Sequence, residues 1–188
     1  TERKKLTIFF SDIKDFTATT ERLQPEQITR LLNEYFTEMS AIAPKHGGTI
    51  DKTGGDAMLT FFGHPATKGE AEDAAACVRM ALDMQHRVAE LNVKWRNEGI
   101  EHPFRVRMGV NTGYCNVGNF GSADRMDYTI IGAEANLAAR LQAMAEGVET
   151  AAQMGYLRRN HCDQFQGLFF AGPVRADLAG ELLGRRFL

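Results

Sequence analysis

The chain predicts an α+β fold, an antiparallel sheet with helices packed on it. Three observations lead there. A short continuous β-rich run, Leu6-Thr7-Ile8-Phe9-Phe10, comes early; two long stretches carry apolar residues at three- and four-residue steps; and between them lies an alternating segment broken by a glycine pair. The order strand, helix, hairpin, helix, strand is a ferredoxin-like βαββαβ arrangement, with helices expected on one face of the sheet.

The first strand ends at Ser11-Asp12, so Asp12 falls at a strand terminus. The polar stretch that follows, through Phe16-Thr17-Ala18-Thr19-Thr20, is rich in small hydroxyl residues that suit a helix start, where backbone N–H groups favour anions. From Gln24, the residues Ile28, Leu31, Leu32, Tyr35, Phe36, Met39 and Ile42 form one wide apolar helix face that stops at His46-Gly47-Gly48. The segment from Thr49 to Gly63 then reads as a hairpin with its turn at Gly54-Gly55. Lys52 and Asp56 flank that turn, a cation and an anion beside a backbone that glycine leaves uncovered. A nucleotide with its metal could use both.

A second long helix is expected over residues 68–97, with its methionines as core filler. Residues 104–112 alternate as a strand, Gly113 opens a turn, residues 118–125 read as a glycine-punctuated loop, and 126–131 return to strand character. After Gly132 a strong helix former puts Asn136 and Arg140 one turn apart on one face.

Composition narrows the function classes. A length of 188 residues allows one domain with a small appendage, and 44% hydrophobic with 24% charged residues is ordinary for a globular protein. A net charge of -2 argues against a broad nucleic-acid or anionic-membrane surface. No apolar run approaches bilayer-crossing length, and Thr1-Glu2-Arg3-Lys4-Lys5 has no signal-peptide pattern. The first residue is not methionine, as expected of a piece of a longer protein. Cys77, Cys115 and Cys162 share no metal-like spacing and are expected as reduced thiols in a cytoplasmic setting.

Five of these stretches, in order, resemble the class III nucleotide cyclase catalytic domain of the bacterial adenylate cyclase type. They are the run from Phe9 to Thr17, Thr49 to Asp56, Arg107 to Gly113, Gly118 to Gly121, and Asp127 to Gly132 leading to Asn136 and Arg140. The resemblance implies that Asp12 and Asp56, with the Ile13 backbone carbonyl, bind two Mg²⁺ or Mn²⁺ ions. It implies that residues from Phe16 and Thr17 onward offer backbone N–H groups to the β- and γ-phosphates, and that Lys52 and Thr129 read the purine of ATP. Asn136 and Arg140 match the pair that orients the ribose and meets charge on the α-phosphate. In that family the metal aspartates come from one subunit and the other two pairs from its neighbour, so the resemblance implies a homodimer with shared sites.

The resemblance covers about residues 5–146, giving an expected cyclase domain over 1–146 and an appendage over 147–188. The appendage is similar to the carboxyl end of an EAL-type cyclic di-GMP phosphodiesterase, with Glu146, Glu149 and Gln166 at matching places, but the signature tripeptide and other metal carboxylates are absent. It is expected to pack as a structural substitute for the end of the cyclase sheet, and the family's phosphate-contacting lysine has no counterpart. Two alternatives stand beside the cyclase reading: a GGDEF-type diguanylate cyclase, suggested by Gly54-Gly55-Asp56 but opposed by Ala57 and Met58, and a non-catalytic nucleotide-binding or dimerisation module.

Overall fold

The computed structural model describes residues 1–122 and 124–144, and the EAL-like stretch with Glu146, Glu149 and Gln166 lies outside them. Residues Thr1–Ala143 form one compact unit. The long strand β1 (Glu2–Ile13) leads through a one-turn helix α1 (Phe16–Thr20) to α2 (Pro25–Ile42). The hairpin β2 (Thr49–Gly54) and β3 (Ala57–Phe62) follows, then α3 (Glu70–Asn97), the long β4 (Val106–Ser122), β5 (Arg125–Ile131) and α4 (Ala133–Met144). The five strands lie in the order β2-β3-β1-β4-β5, and every neighbouring pair is antiparallel. The expected α+β, ferredoxin-like architecture is therefore present, with β1 at its centre and β5 added at one edge.

Local signals explain the long helices. At the start of α2, Gln24 and Gln27 form a reciprocal capping box and Pro25 takes the first turn, where its missing N–H costs nothing. Glu70, Glu72 and Asp73 place negative charge at the start of α3, and Lys94 and Arg96 place positive charge at its end, as the helix dipole favours. Alternation along β1 then sorts its side chains. Phe9 and Ile13 join Leu31, Tyr35 and Met39 of α2, Met80, Met84, Leu91 and Trp95 of α3, and Met58 and Phe62 of β3 in the main core. Leu6 and Ile8 point the other way, into a second cluster with Phe61, Cys115, Val117, Ile130 and Ala138.

The two helices of the βαββαβ unit share one face, as expected, and α4, which follows that unit, supplies Ala138 to the layer opposite α2 and α3. Gly113 is where it docks, since a Cβ there would lie 2.5 Å from Glu134 Cγ. Asn111 Nδ2 fastens the contact by donating to Glu134 Oε2 at 2.7 Å. Gly113 thus admits a helix and opens no turn.

The glycine-punctuated stretch is corrected as well. Residues 118–122 pair with β5 from Gly118–Thr129 to Ser122–Arg125, so the expected loop is strand. Backbone ladders need no side chains, and Gly118 and Gly121, at φ 150° and 145°, adopt extended conformations that a side chain would resist. The hairpin turn sits one residue later than expected: Gly54 pairs with Ala57, which leaves Gly55 (φ 62°) and Asp56 as the loop.

Phe9 is fully buried at the centre of the sheet. Phe9→Ala is expected to lower unfolding free energy by about 3–5 kcal/mol in a denaturant titration; an unchanged midpoint would contradict its place in the core.

Candidate functional site

On β1, Asp12 lies on the opposite side of the strand from the core residues Phe9 and Ile13. Its cross-strand partner is Ala57, the residue directly after Asp56. The chain is closed there by a further hydrogen bond, in which Ile13 N–H donates to the Asp56 carbonyl at 3.2 Å. Antiparallel pairing thus brings Asp12, Ile13 and Asp56 together at one end of the β1–β3 ladder. Each of the three reaches this place by a different local cause: a strand end, its following residue, and the tip of a glycine turn.

The opposite neighbour of Asp12 is Arg107 of β4. Its guanidinium grips the carboxylate with both prongs, Nε to Oδ1 and Nη2 to Oδ2, each at 2.8 Å. Such a bidentate pair is the strong form of ion pair, and it is only 24% and 18% exposed. Arg107 belongs to a stretch singled out in the sequence, but it had been given no role there. Strand alternation alone could have put it on the Asp12 side, yet only the register makes it the partner.

Beneath this corner lies Tyr35 of α2, fully buried, its hydroxyl without a completed hydrogen bond among the described residues. Burial pushes its phenol up to about 12; the nearby Ser11 hydroxyl works against that, and the charges of Asp12 and Asp56 add to it.

A cavity of about 700 Å³ opens between the two sheet edges, lined by Asp51, Lys52, Thr53 and Gly54 of β2, Phe10 of β1, Ala57 and Leu59 of β3, and the Arg125 to Tyr128 stretch of β5. Lys52 sits exposed on its wall. Thr129 is the next residue of β5 and is 6% exposed. The two edges meet here through Asp51, whose Oδ2 accepts from Thr129 Oγ1 at 2.7 Å and from the Ile130 N–H at 3.2 Å. So β2 and β5, at opposite ends of the sheet, are joined by Asp51, the residue before Lys52, which the sequence did not mark.

Of the remaining expected site residues, Phe16 and Thr17 form the first turn of α1, before its first i to i−4 bond from Thr19 N–H to the Asp15 carbonyl. Asn136 and Arg140 lie on the exposed side of α4, with no hydrogen bond or ion pair among the described residues. The structure thus gathers Asp12, Ile13 and Asp56 at one corner, sets Lys52 on the cavity wall one residue from the Asp51–Thr129 bond, and leaves the α4 pair facing outward.

The donor set at the first corner suits a divalent cation. Two carboxylates and a carbonyl are all hard oxygen donors, but in the single chain Arg107 holds both Asp12 oxygens, so a cation would have to share that carboxylate with the guanidinium or displace it. No group of three or more His, Cys, Asp or Glu converges among the described residues, so these oxygens would need completing by other donors, such as phosphate and water.

Comparison with known proteins gives a consistent picture. The family model for the adenylate and guanylate cyclase catalytic domain matches residues 1–157. Adenylate cyclase 1 of Rhizobium meliloti (strain 1021) is 35% identical over 150 residues, covering 79% of this chain but 22% of that protein. The adenylate cyclase of Anabaena cylindrica is 32% identical over 143 residues, covering 76% of this chain and 28% of the relative. This chain therefore spans about a quarter of the length of these relatives. Among solved structures, the adenylyl cyclase CyaB from P. aeruginosa is 50% identical with a TM-score of 0.75, covering 84% of this chain and 82% of that one.

Tyr35→Phe removes a buried hydroxyl that completes no hydrogen bond among the described residues. It is expected to change unfolding free energy by less than about 1 kcal/mol; a larger loss would reveal a bond to Ser11 that organises the corner.

Proposed function

We propose that this chain, which belongs to the adenylate and guanylate cyclase catalytic domain family, is an adenylate cyclase that converts ATP to 3′,5′-cyclic AMP and pyrophosphate at sites shared between two copies. The observation that carries the reading is the β1–β3 register, which pairs Asp12 with Ala57, the residue after Asp56, and bonds the Ile13 N–H to the Asp56 carbonyl. In this reading Asp12, Asp56 and the Ile13 carbonyl hold two Mg²⁺ or Mn²⁺ ions. When bound, the ions supply acidity to the ribose 3′-hydroxyl and neutralise the departing pyrophosphate.

The protein's own groups do the rest. Phe16 and Thr17 direct backbone N–H groups of α1 at the outer phosphates. Lys52 donates to the unprotonated N1 of adenine, and Thr129 meets the 6-amino group. Asn136 orients the ribose, and Arg140 offers a preorganised positive charge to the α-phosphate as charge grows there. Both are exposed on α4 in the single chain, which supports a site completed by a second copy related by two-fold symmetry. A lysine at position 52 supports ATP over GTP, because guanine presents a protonated N1 that a lysine cannot accept from. The residues outside the described region enter as a proposal only: an appendage over 147–188 that packs in place of the family's closing elements.

Asp12→Ala and Asp56→Ala are each expected to cut cyclisation by about a thousandfold in an assay with Mn²⁺ while leaving thermal unfolding cooperative. Near-normal activity in either would remove that residue from the site. Mixing Asp12→Ala with Arg140→Ala chains, both inactive alone, is expected to restore roughly a quarter of the wild-type rate, since half the dimers are mixed and each carries one intact site. No recovery, with mixed dimers demonstrated, would refute sites built from two chains.

A further inference from the structure

We propose that Asp51 is a specificity-determining positioning residue, which fixes the direction of the Thr129 hydroxyl so that only a hydrogen-bond donor on the purine 6-position is accepted. This rests on the reading of the same cavity as the ATP site. Three observations carry it. First, Asp51 is the inserted residue of a β-bulge: Ile50 pairs with Thr60 and Lys52 with Leu59, leaving Asp51 unopposed. A bulge turns its side chain out of the alternation, and here it points across to β5 while Lys52 stays on the cavity wall.

Second, the direction of the bond is set. Asp51 Oδ2 receives the Ile130 N–H at 3.2 Å, a group that can only donate, so this oxygen must accept. The Thr129 Oγ1, 2.7 Å from the same oxygen, therefore spends its single proton on Asp51. What the hydroxyl has left for a ligand is lone pairs. A threonine alone is ambivalent and could donate to the 6-oxygen of guanine as readily as accept from the 6-amino group of adenine. Thr129 held by Asp51 can only accept.

Third, the arrangement is costly as a mere staple. Asp51 Oδ1 is buried with no hydrogen-bond partner among the described residues, and a half-satisfied carboxyl group is an expensive way to join two strands. The cost has a use where a site must reject a ligand with the wrong polarity, because the rejected ligand leaves lone pair facing lone pair.

The test compares wild type, Asp51→Ala, Asp51→Asn, Thr129→Val and the double variant Asp51→Ala/Thr129→Val, with thermal unfolding as the check on folding. Cyclisation of ATP and GTP with Mn²⁺ is measured as kcat/KM. Asp51→Ala is expected to lower the ATP:GTP ratio about tenfold, and Asp51→Asn, whose side-chain oxygen still faces the Ile130 N–H, to stay within about threefold of wild type. In the Thr129→Val background, Asp51→Ala should change the ratio no further. A folded Asp51→Ala variant with an unchanged ratio, or an equal effect with and without the Thr129 hydroxyl, overturns the proposal.

A second measurement needs no variant. N6-methyl-ATP and 6-methoxypurine riboside triphosphate match in size and keep N1 unprotonated, but offer a donor and an acceptor at position 6. Equilibrium binding to the wild-type chain with Mn²⁺ should favour the first by about tenfold; equal binding overturns the proposal. Tight, selective binding without any cyclisation of ATP would instead overturn the functional reading and leave the role of Asp51 standing.

Discussion

The structure depends on the pairing of β1 with strands on both its sides. Twelve residues of β1 find partners on β4 and six on β3, so one strand fixes the phase of the whole sheet. A shift of one residue would turn Asp12 toward the core and Phe9 away from it. The buried set Phe9, Ile13, Met58 and Phe62 makes that shift very unfavourable, since each would exchange burial for exposure. The chemistry at the strand end is thus held in place by hydrophobic packing on the other face. Asp12 stands beside Asp56 and opposite Arg107 because the core beneath leaves no other register.

A second constraint acts at the edges. In an open five-stranded sheet the outermost strands have no reason to meet, yet Asp51 of β2 bonds Thr129 and Ile130 of β5. The sheet must curl for this to happen, and the cavity is the space the curl encloses. Twist accounts for curl in general; the bulge at Asp51 gives it a defined partner. α4 covers the remainder of this face through Ala138 and Leu141, which leaves Asn136 and Arg140 outward. One face of the sheet therefore carries the main core, and the other carries the second cluster beside the cavity.

Much of the fold was legible in the sequence, and the reasons are physical. The periodic faces of α2 and α3 and the β-rich run of β1 are strong local signals, and they appear where periodicity put them. What was not legible depends on long-range pairing. The stretch from Gly118 to Ser122 has Phe120 as its one strongly β-forming side chain between two glycines, and its partner β5 makes it a strand. The docking of α4 on the second face turns on Gly113, whose missing Cβ reads locally as a turn. At the site, residue types pointed to Asp12, Lys52 and Asp56 and the family resemblance added Thr129, but neither pointed to Arg107 or Asp51. Both of these act through cross-strand geometry: one through register, the other through a bulge, and neither leaves a mark in local composition.

The central claim is that the corner formed by Asp12, Ile13 and Asp56 serves metal-dependent ring closure of ATP. Its most direct test is product analysis of the purified chain with ATP before and after removal of divalent ions. The account predicts equal amounts of 3′,5′-cyclic AMP and pyrophosphate with Mn²⁺, none after chelation, and recovery when Mn²⁺ is returned. Product formation that persists without divalent ions, or a chain that binds ATP and Mn²⁺ yet releases neither product, would contradict it.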